Sequence, residues 1–200
     1  MKDIVIFGAG GFGMEVAWLI EEINKVQPTW NLLAYGYKVL GPRDFLAQRD
    51  EPLSVAIAVG ESEGRRQLSE ELSSPNLSFP SLLHPSVQLS KSVRLGEGTL
   101  VAAGSILTVE IHVGRHVHIN LDCTVGHGAS LGDFVTLFPS VNVSGDVAIG
   151  TGSMIGTGAS IIQRVAIGAN TVVGAGAVVV DDLPDHVVAV GVPARIIRKI

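Results

Sequence analysis

The sequence predicts two joined units, a small α/β unit over residues 1–80 and an all-β stack of parallel coils over residues 81–200. Three observations carry this. From Leu89 to Val179 an aliphatic residue recurs every six positions, sixteen times without exception. Two residues before each stands a small or β-branched residue, such as Val93, Thr99, Ser105, Cys123, Ala129, Val147 and Ala159. The N-terminus instead runs as a β-rich stretch, a glycine loop and a helix-patterned segment.

In chain order, Ile4 to Phe7 reads as a strand feeding Gly8-Ala9-Gly10-Gly11-Phe12-Gly13. Met14 to Lys25 follows as a helix with Val16, Leu19, Ile20 and Ile23 on one face. Gly8-x-Gly10-x-x-Gly13 has the form of a dinucleotide fingerprint. Backbone N–H groups at a helix N-terminus favour a phosphate or pyrophosphate. Leu32 to Tyr35 is the expected second strand. An NAD site wants an acid near its end, about 20 residues past the last glycine. Ala34, Tyr35 and Gly36 stand there instead, which counts against NAD. Pro42 to Arg49 is expected as a short helix, Ser54 to Val59 as a third strand, and Glu61 to Leu72 as a charged helix ended by Ser73-Ser74-Pro75-Asn76. Strands alternating with helices support a parallel sheet, so residues 1–80 read as a truncated Rossmann-like domain.

A period of six fits neither a helix stripe nor a flat strand. It fits a chain that makes a short strand, turns a corner and repeats, with each aliphatic residue pointing into an axial core. Glycine follows eight of the sixteen, at 96, 114, 126, 132, 150, 156, 168 and 174, and is expected to supply the backbone angles of a corner. With three hexads to a coil, sixteen hexads give about five coils, a stack roughly 25 Å tall. The array leaves no room for an inserted loop from Val87 to Asp182, so chemistry belongs on corners and grooves.

Net charge is −5 and the pI is 5.6, with no long basic run, which disfavours a nucleic-acid role. Mean hydropathy is +0.41, yet no apolar run approaches the ~20 residues of a membrane span. Met1 to Gly8 is too short and too glycine-rich for a signal peptide, and a cytoplasmic location is expected. The single cysteine, Cys123, falls on an in-pointing column and reads as a small core residue.

The hexad array resembles the hexapeptide-repeat acyltransferases, whose coils form a left-handed parallel β-helix. With the Rossmann-like unit in front, the chain resembles the sialic acid O-acetyltransferase group, which also holds N-acetyltransferases of nucleotide-linked amino sugars. The matching pieces run in order: Gly8 to Gly13, Leu83-His84-Pro85-Ser86, Ile119-Asn120, Val125-Gly126-His127, Leu131-Gly132-Asp133-Phe134-Val135, Val143-Ser144-Gly145 and Gly191-Val192-Pro193-Ala194. The resemblance implies acetyl-CoA as co-substrate, no metal, and a homotrimer with coenzyme A in the groove between subunits.

It also assigns residues. His127, two past Val125, takes the place of the general base, and an imidazole suits proton removal at neutral pH. The family pattern often flanks this histidine with acids, whereas here Gly126 and Gly128 flank it and the nearest acid in sequence is Asp122. Thr136 stands where the family has a second histidine at the acetyl donor. By family position Thr136, Thr157 and Ala175 touch coenzyme A, while Arg195, Arg198 and Lys199 either pair with its phosphates or form a solvated tail. Gly10, Gly11 and Phe12 cradle the nucleotide, Gly60 and Glu61 border it, and Asn120 faces the sugar near His127.

The function expected is acetyl-CoA-dependent acetylation of a sugar, by N-acetylation of a nucleotide-linked amino sugar, in surface-glycan biosynthesis. The alternatives are O-acetylation of sialic acid or another sugar, and a non-catalytic sugar-nucleotide sensor. A γ-type carbonic anhydrase needs three zinc-binding histidines in stacked columns, and no two histidines here are 18 or 36 residues apart. An ice-binding coil needs threonine rows that this chain lacks.

Overall fold

The computed structural model of the chain describes residues 1–8, 10–35 and 51–200. The helix expected over Pro42 to Arg49 lies outside the described residues.

Strand β1 (Lys2–Phe7) is buried along its second half and pairs in parallel with β2 (Trp30–Tyr35) on one side and β3 (Leu53–Ile57) on the other. A two-residue β4 (Leu77–Ser78), not foreseen from the sequence, extends the sheet to the order β2-β1-β3-β4. Helix α1 spans Gly11–Val26, beginning three residues before the expected start at Met14. Glycine is tolerated in a first turn because those N–H groups have no partner in the helix. Gly13 is required there for another reason: a side chain would collide with the Gly8 carbonyl, where the helix packs on the end of β1. Helix α2 (Ser62–Glu71) is capped by Glu61, whose carboxylate accepts from the Glu63 N–H at 2.9 Å and the Gly64 N–H at 2.5 Å.

From Leu82 the chain forms seventeen two-residue strands, one every six residues, from β5 (Leu82–Leu83) to β21 (Val178–Val179). They stack in parallel on three faces. The first face holds β5, β8, β11, β14, β17 and β20, the second β6, β9, β12, β15, β18 and β21, and the third β7, β10, β13, β16 and β19. Register repeats every 18 residues, as in His118↔Leu100 and His118↔Thr136. This is a left-handed parallel β-helix of about six turns, one more than expected, because Leu83 begins a coil before Leu89 and β22 (Val187–Val190) continues the first face above. Strand β23 (Arg195–Lys199) returns antiparallel to β22 and closes the sheet.

The in-pointing residues pack into one core. Ile155, Val173 and Val179 are fully buried. Leu89 is 41% exposed because it lies on the first coil, with none stacked beneath it.

The corner glycines work differently from expectation. From Leu95 to Val173, positive φ falls three residues past each aliphatic position, at Gly98, Gly104 and Gly128 but also at Glu110, His116, Asp122, Phe134 and Asp146. The glycine directly after the aliphatic residue is needed for closeness instead. A Cβ on Gly96 would lie 2.5 Å from the Arg115 nitrogen, and one on Gly126 would lie 2.7 Å from the Gly145 nitrogen. Those contacts are with the backbone of the next coil, which cannot yield without separating the stack.

The N-terminal unit sits on the first face. Leu82 and Leu100 point outward from the coils into one apolar cluster with Ile4, Ile6, Val16, Leu19 and Ile20. That explains why the outward positions of the first face are buried at Leu82, Leu100, His118 and Thr136 and only half-buried beyond them at Met154 and Val172, while those of the other faces are mostly polar and exposed.

Candidate active site

Arg65 organises the junction. It leaves α2 to enter the outer side of the β-helix and is fully buried. Its Nε donates to the His116 carbonyl at 2.8 Å, Nη1 to the Val59 carbonyl at 2.7 Å, and Nη2 to the Phe134 carbonyl at 2.7 Å. Nη1 also reaches His118 Nδ1 at 3.2 Å, and Nη2 reaches Thr136 Oγ1 at 2.9 Å. Burial pulls the guanidinium down to about 9, opposed by the Glu61 carboxylate, so it stays cationic at neutral pH. Five N–H donors set among carbonyl oxygens offset much of the cost of that buried charge.

Arg65 also sets the state of its neighbours. A guanidinium only donates, so His118 Nδ1 is the accepting nitrogen and Nε2–H donates to the Ile57 carbonyl at 3.1 Å. Burial, then the charge of Arg65, holds His118 well below the usual histidine range and therefore neutral. His116 is lowered to about 4, by burial first and then by Arg65 and Arg115. The Thr136 hydroxyl accepts from Arg65 and donates to the Gly60 carbonyl at 3.2 Å. Thr136 is 1% exposed, so its hydroxyl serves the junction rather than an outside carbonyl.

Beside this network lies a cavity of about 230 Å³ lined by Phe12, Glu15, Gly60, His118, Asn120, Thr136, Phe138 and Pro139. The Phe12 ring packs 4.9 Å from the His118 ring. Asn120 is held by a bond from Nδ2 to the Leu137 carbonyl at 2.9 Å. Gly10 and Gly11, at the start of α1, face open space, and no side chain caps the helix there. Four residues singled out from sequence, Phe12, Gly60, Asn120 and Thr136, thus meet around one cavity. Thr157 and Ala175 are exposed on consecutive coils of the corner between the first and second faces, directly above Pro139.

His127 lies elsewhere. It follows β12 (Thr124–Val125), on the corner between the second and third faces, with its side chain 67% exposed. The expected proximity of Asn120 and His127 is not found within one chain, because a whole face of the coil separates their corners. An acid does approach His127, from the next coil: Asp146 Oδ1 lies 3.8 Å from Nδ1. Arg195 pairs with Asp181 at 3.3 Å in an exposed contact. Among the described residues, no group of three or more His, Cys, Asp or Glu is placed to hold a metal.

Sequence reasoning missed Arg65, Asp146 and the structural part of His118. The signal for His118 was its position just before Ile119, on the face whose equivalent residues Leu82 and Leu100 are apolar. Arg65 left no signal, sitting in a helix of ordinary charged composition.

Comparison with known proteins fits this architecture. Residues 3–72 match the PglD N-terminal domain. PerB from Caulobacter crescentus, solved with CoA and GDP-perosamine, is 34% identical with a TM-score of 0.86, covering 98% of this chain and 97% of that one. A mutant of perosamine N-acetyltransferase from the same organism, solved with the same two ligands, is 32% identical with a TM-score of 0.87, covering 100% of this chain and 98% of that one. The chain belongs to the nucleotide-amino-sugar acetyltransferase group of the hexapeptide-repeat acyltransferases. Within that family, a GDP-perosamine N-acetyltransferase of Escherichia coli O157:H7 is 28% identical over 67% of this chain. A UDP-N-acetylbacillosamine N-acetyltransferase of Bacillus subtilis (strain 168) is 43% identical over 52% of it. These two matches span 66% and 52% of the relatives' own lengths. Among the described residues, no helix is long and apolar enough to cross a membrane.

Proposed function

We propose that the chain is an acetyl-CoA-dependent N-acetyltransferase acting on a nucleotide-linked amino sugar, in the cytoplasmic assembly of surface glycans. The observation that carries this is its end-to-end likeness to an N-acetyltransferase solved with CoA and a nucleotide amino sugar.

The nucleotide phosphates meet the open N-terminus of α1 at Gly10 and Gly11, where backbone N–H groups face outward. The sugar enters the cavity beside Phe12, Gly60 and Asn120. Acetyl-CoA runs along the corner marked by Thr157 and Ala175, with Thr136 contributing to the cavity wall. His127 is the general base. The acceptor amine attacks the thioester carbonyl, its proton passes to the imidazole, the C–S bond breaks, and the imidazolium protonates the leaving thiolate.

A homotrimer is part of this reading. The cavity and His127 occupy different corners of one β-helix. Three copies around an axis parallel to the coils set the His127 corner of one copy against the cavity corner of the next.

The test is CoA release from acetyl-CoA with GDP-perosamine, UDP-linked amino sugars and free sialic acid, beside light scattering. Turnover of a nucleotide amino sugar by a species of about three times 20.9 kDa is expected. His127→Ala should lose about 100-fold or more in kcat. Turnover of sialic acid alone would move the chemistry to O-acetylation, and sugar-nucleotide binding without turnover would make the chain a sensor.

A further inference from the structure

We propose that Asp146, from the coil above, is the positioning residue for the His127 imidazole. This rests on the reading of His127 as general base and supplies the acid that its sequence neighbours lack.

The geometry is built from three corner residues. Asp146 has φ 58°, and its N–H donates to the His127 carbonyl at 2.8 Å, which fixes the two residues against each other. Its carboxylate then hangs over Gly128. A Cβ at 128 would collide with Asp146 Oδ1, so a side chain at 128 and this carboxylate exclude one another. On the other side the ring lies across Gly145, where a Cβ would come within 2.5 Å of Nε2 and 2.6 Å of Cε1. Gly128 thus admits the acid and Gly145 admits the ring.

The placement of the acid follows from the corner itself. Asp122 hangs over Gly104 and Asn170 over Gly152 in the same manner, each from a residue at positive φ. At those corners no histidine stands beside the side chain. At Gly128 one does, and the oxygen falls 3.8 Å from its Nδ1. Closing that to a hydrogen bond takes about 1 Å of movement, within the ordinary rotamer motion of an exposed side chain in the free protein. The other charged groups on this corner are Glu110, one coil below Gly128, and Arg164, one coil above Asp146, with Lys91 two coils below His127 and Asp181 and Asp182 two coils above Asp146.

An imidazole serves as a base through one nitrogen only while the other keeps its proton. A carboxylate at Nδ1 holds the proton there, leaves Nε2 to accept, and stabilises the imidazolium that forms.

The experiment reads the imidazole directly, by NMR of protein labelled with nitrogen-15 histidine at a pH where the ring is neutral, without substrate. Asp146→Gly and Asp146→Asn both tolerate positive φ, so the corner is kept. The proton is expected on Nδ1 in the wild type, moved toward Nε2 in Asp146→Gly, and returned to Nδ1 in Asp146→Asn, whose amide oxygen still accepts. In Asp146→Gly, kcat should fall about 10-fold or more while both KM values change far less. An unchanged tautomer or an unchanged kcat in Asp146→Gly overturns the proposal. The tautomer needs no turnover, so it is decided even if no sugar nucleotide is acetylated, an outcome that sinks the enzymatic reading instead.

Discussion

His127 Nδ1 and Asp146 Oδ1 lie 3.8 Å apart although one full coil of chain separates them. The relationship exists because coil stacking returns the backbone to the same corner every 18 residues. Gly126 and Gly128, which in sequence read as the loss of flanking acids, are steric requirements of that corner. Gly126 lets the next coil approach, and Gly128 leaves the space that the carboxylate fills.

Two glycine substitutions at this corner should therefore separate function from stability. Gly145→Ala meets only the end of an exposed imidazole, so it should lower kcat severalfold while the urea midpoint moves little. Gly126→Ala meets the backbone of the next coil and should cost about 1–3 kcal/mol in urea unfolding.

Arg65→Met should be the most damaging change at the junction. It strands the carbonyls of Val59, His116 and Phe134 away from water, for about 3–5 kcal/mol. Arg65→Lys, with three donors instead of five, should recover part of this. Both should raise KM for the sugar nucleotide more than KM for acetyl-CoA, because the cavity lies against the network. Equal changes in the two would place Arg65 outside acceptor recognition.

Stability should fall as the pH drops below about 6.5. His116 and His118 are neutral when folded, with pKa values lowered by burial, so the unfolded chain binds more protons in this window. The loss begins near the unfolded value of 6.5 and, for His116, is complete near its folded value of about 4. Its contribution is on the order of 3 kcal/mol. Thermal melts from pH 7 to 4 will read this, and His116→Gln should flatten the profile.

Position along the stack should grade the core substitutions. Ile155→Ala, in a fully buried coil, should cost about 2–5 kcal/mol. Leu89→Ala, in the open first coil, should cost about 1 kcal/mol or less. Equal costs would mean that something covers the first coil in solution.

The hexad rule, the buried small residues at Val93 to Ala159 and the helix stripe at Val16, Leu19 and Ile20 were all legible because each depends on near neighbours repeated at a fixed period. The site was legible only in part. Phe12, Gly60 and Asn120 were named from resemblance, yet nothing in their spacing showed that they surround one cavity with Thr136. That depends on which face of the coils the N-terminal unit covers.

By itself, then, the sequence determined the coil, the sheet-and-helix unit in front of it, and the exposed corner on which His127 stands, since period and local turn chemistry dictate these. Tertiary structure alone decided what each group meets. It buried Arg65 among carbonyls from both units, kept His118 neutral, committed the Thr136 hydroxyl to the junction, and brought Asp146 to His127. Those outcomes depend mainly on contacts between residues 19 to 76 positions apart, and no local pattern in a single chain records them.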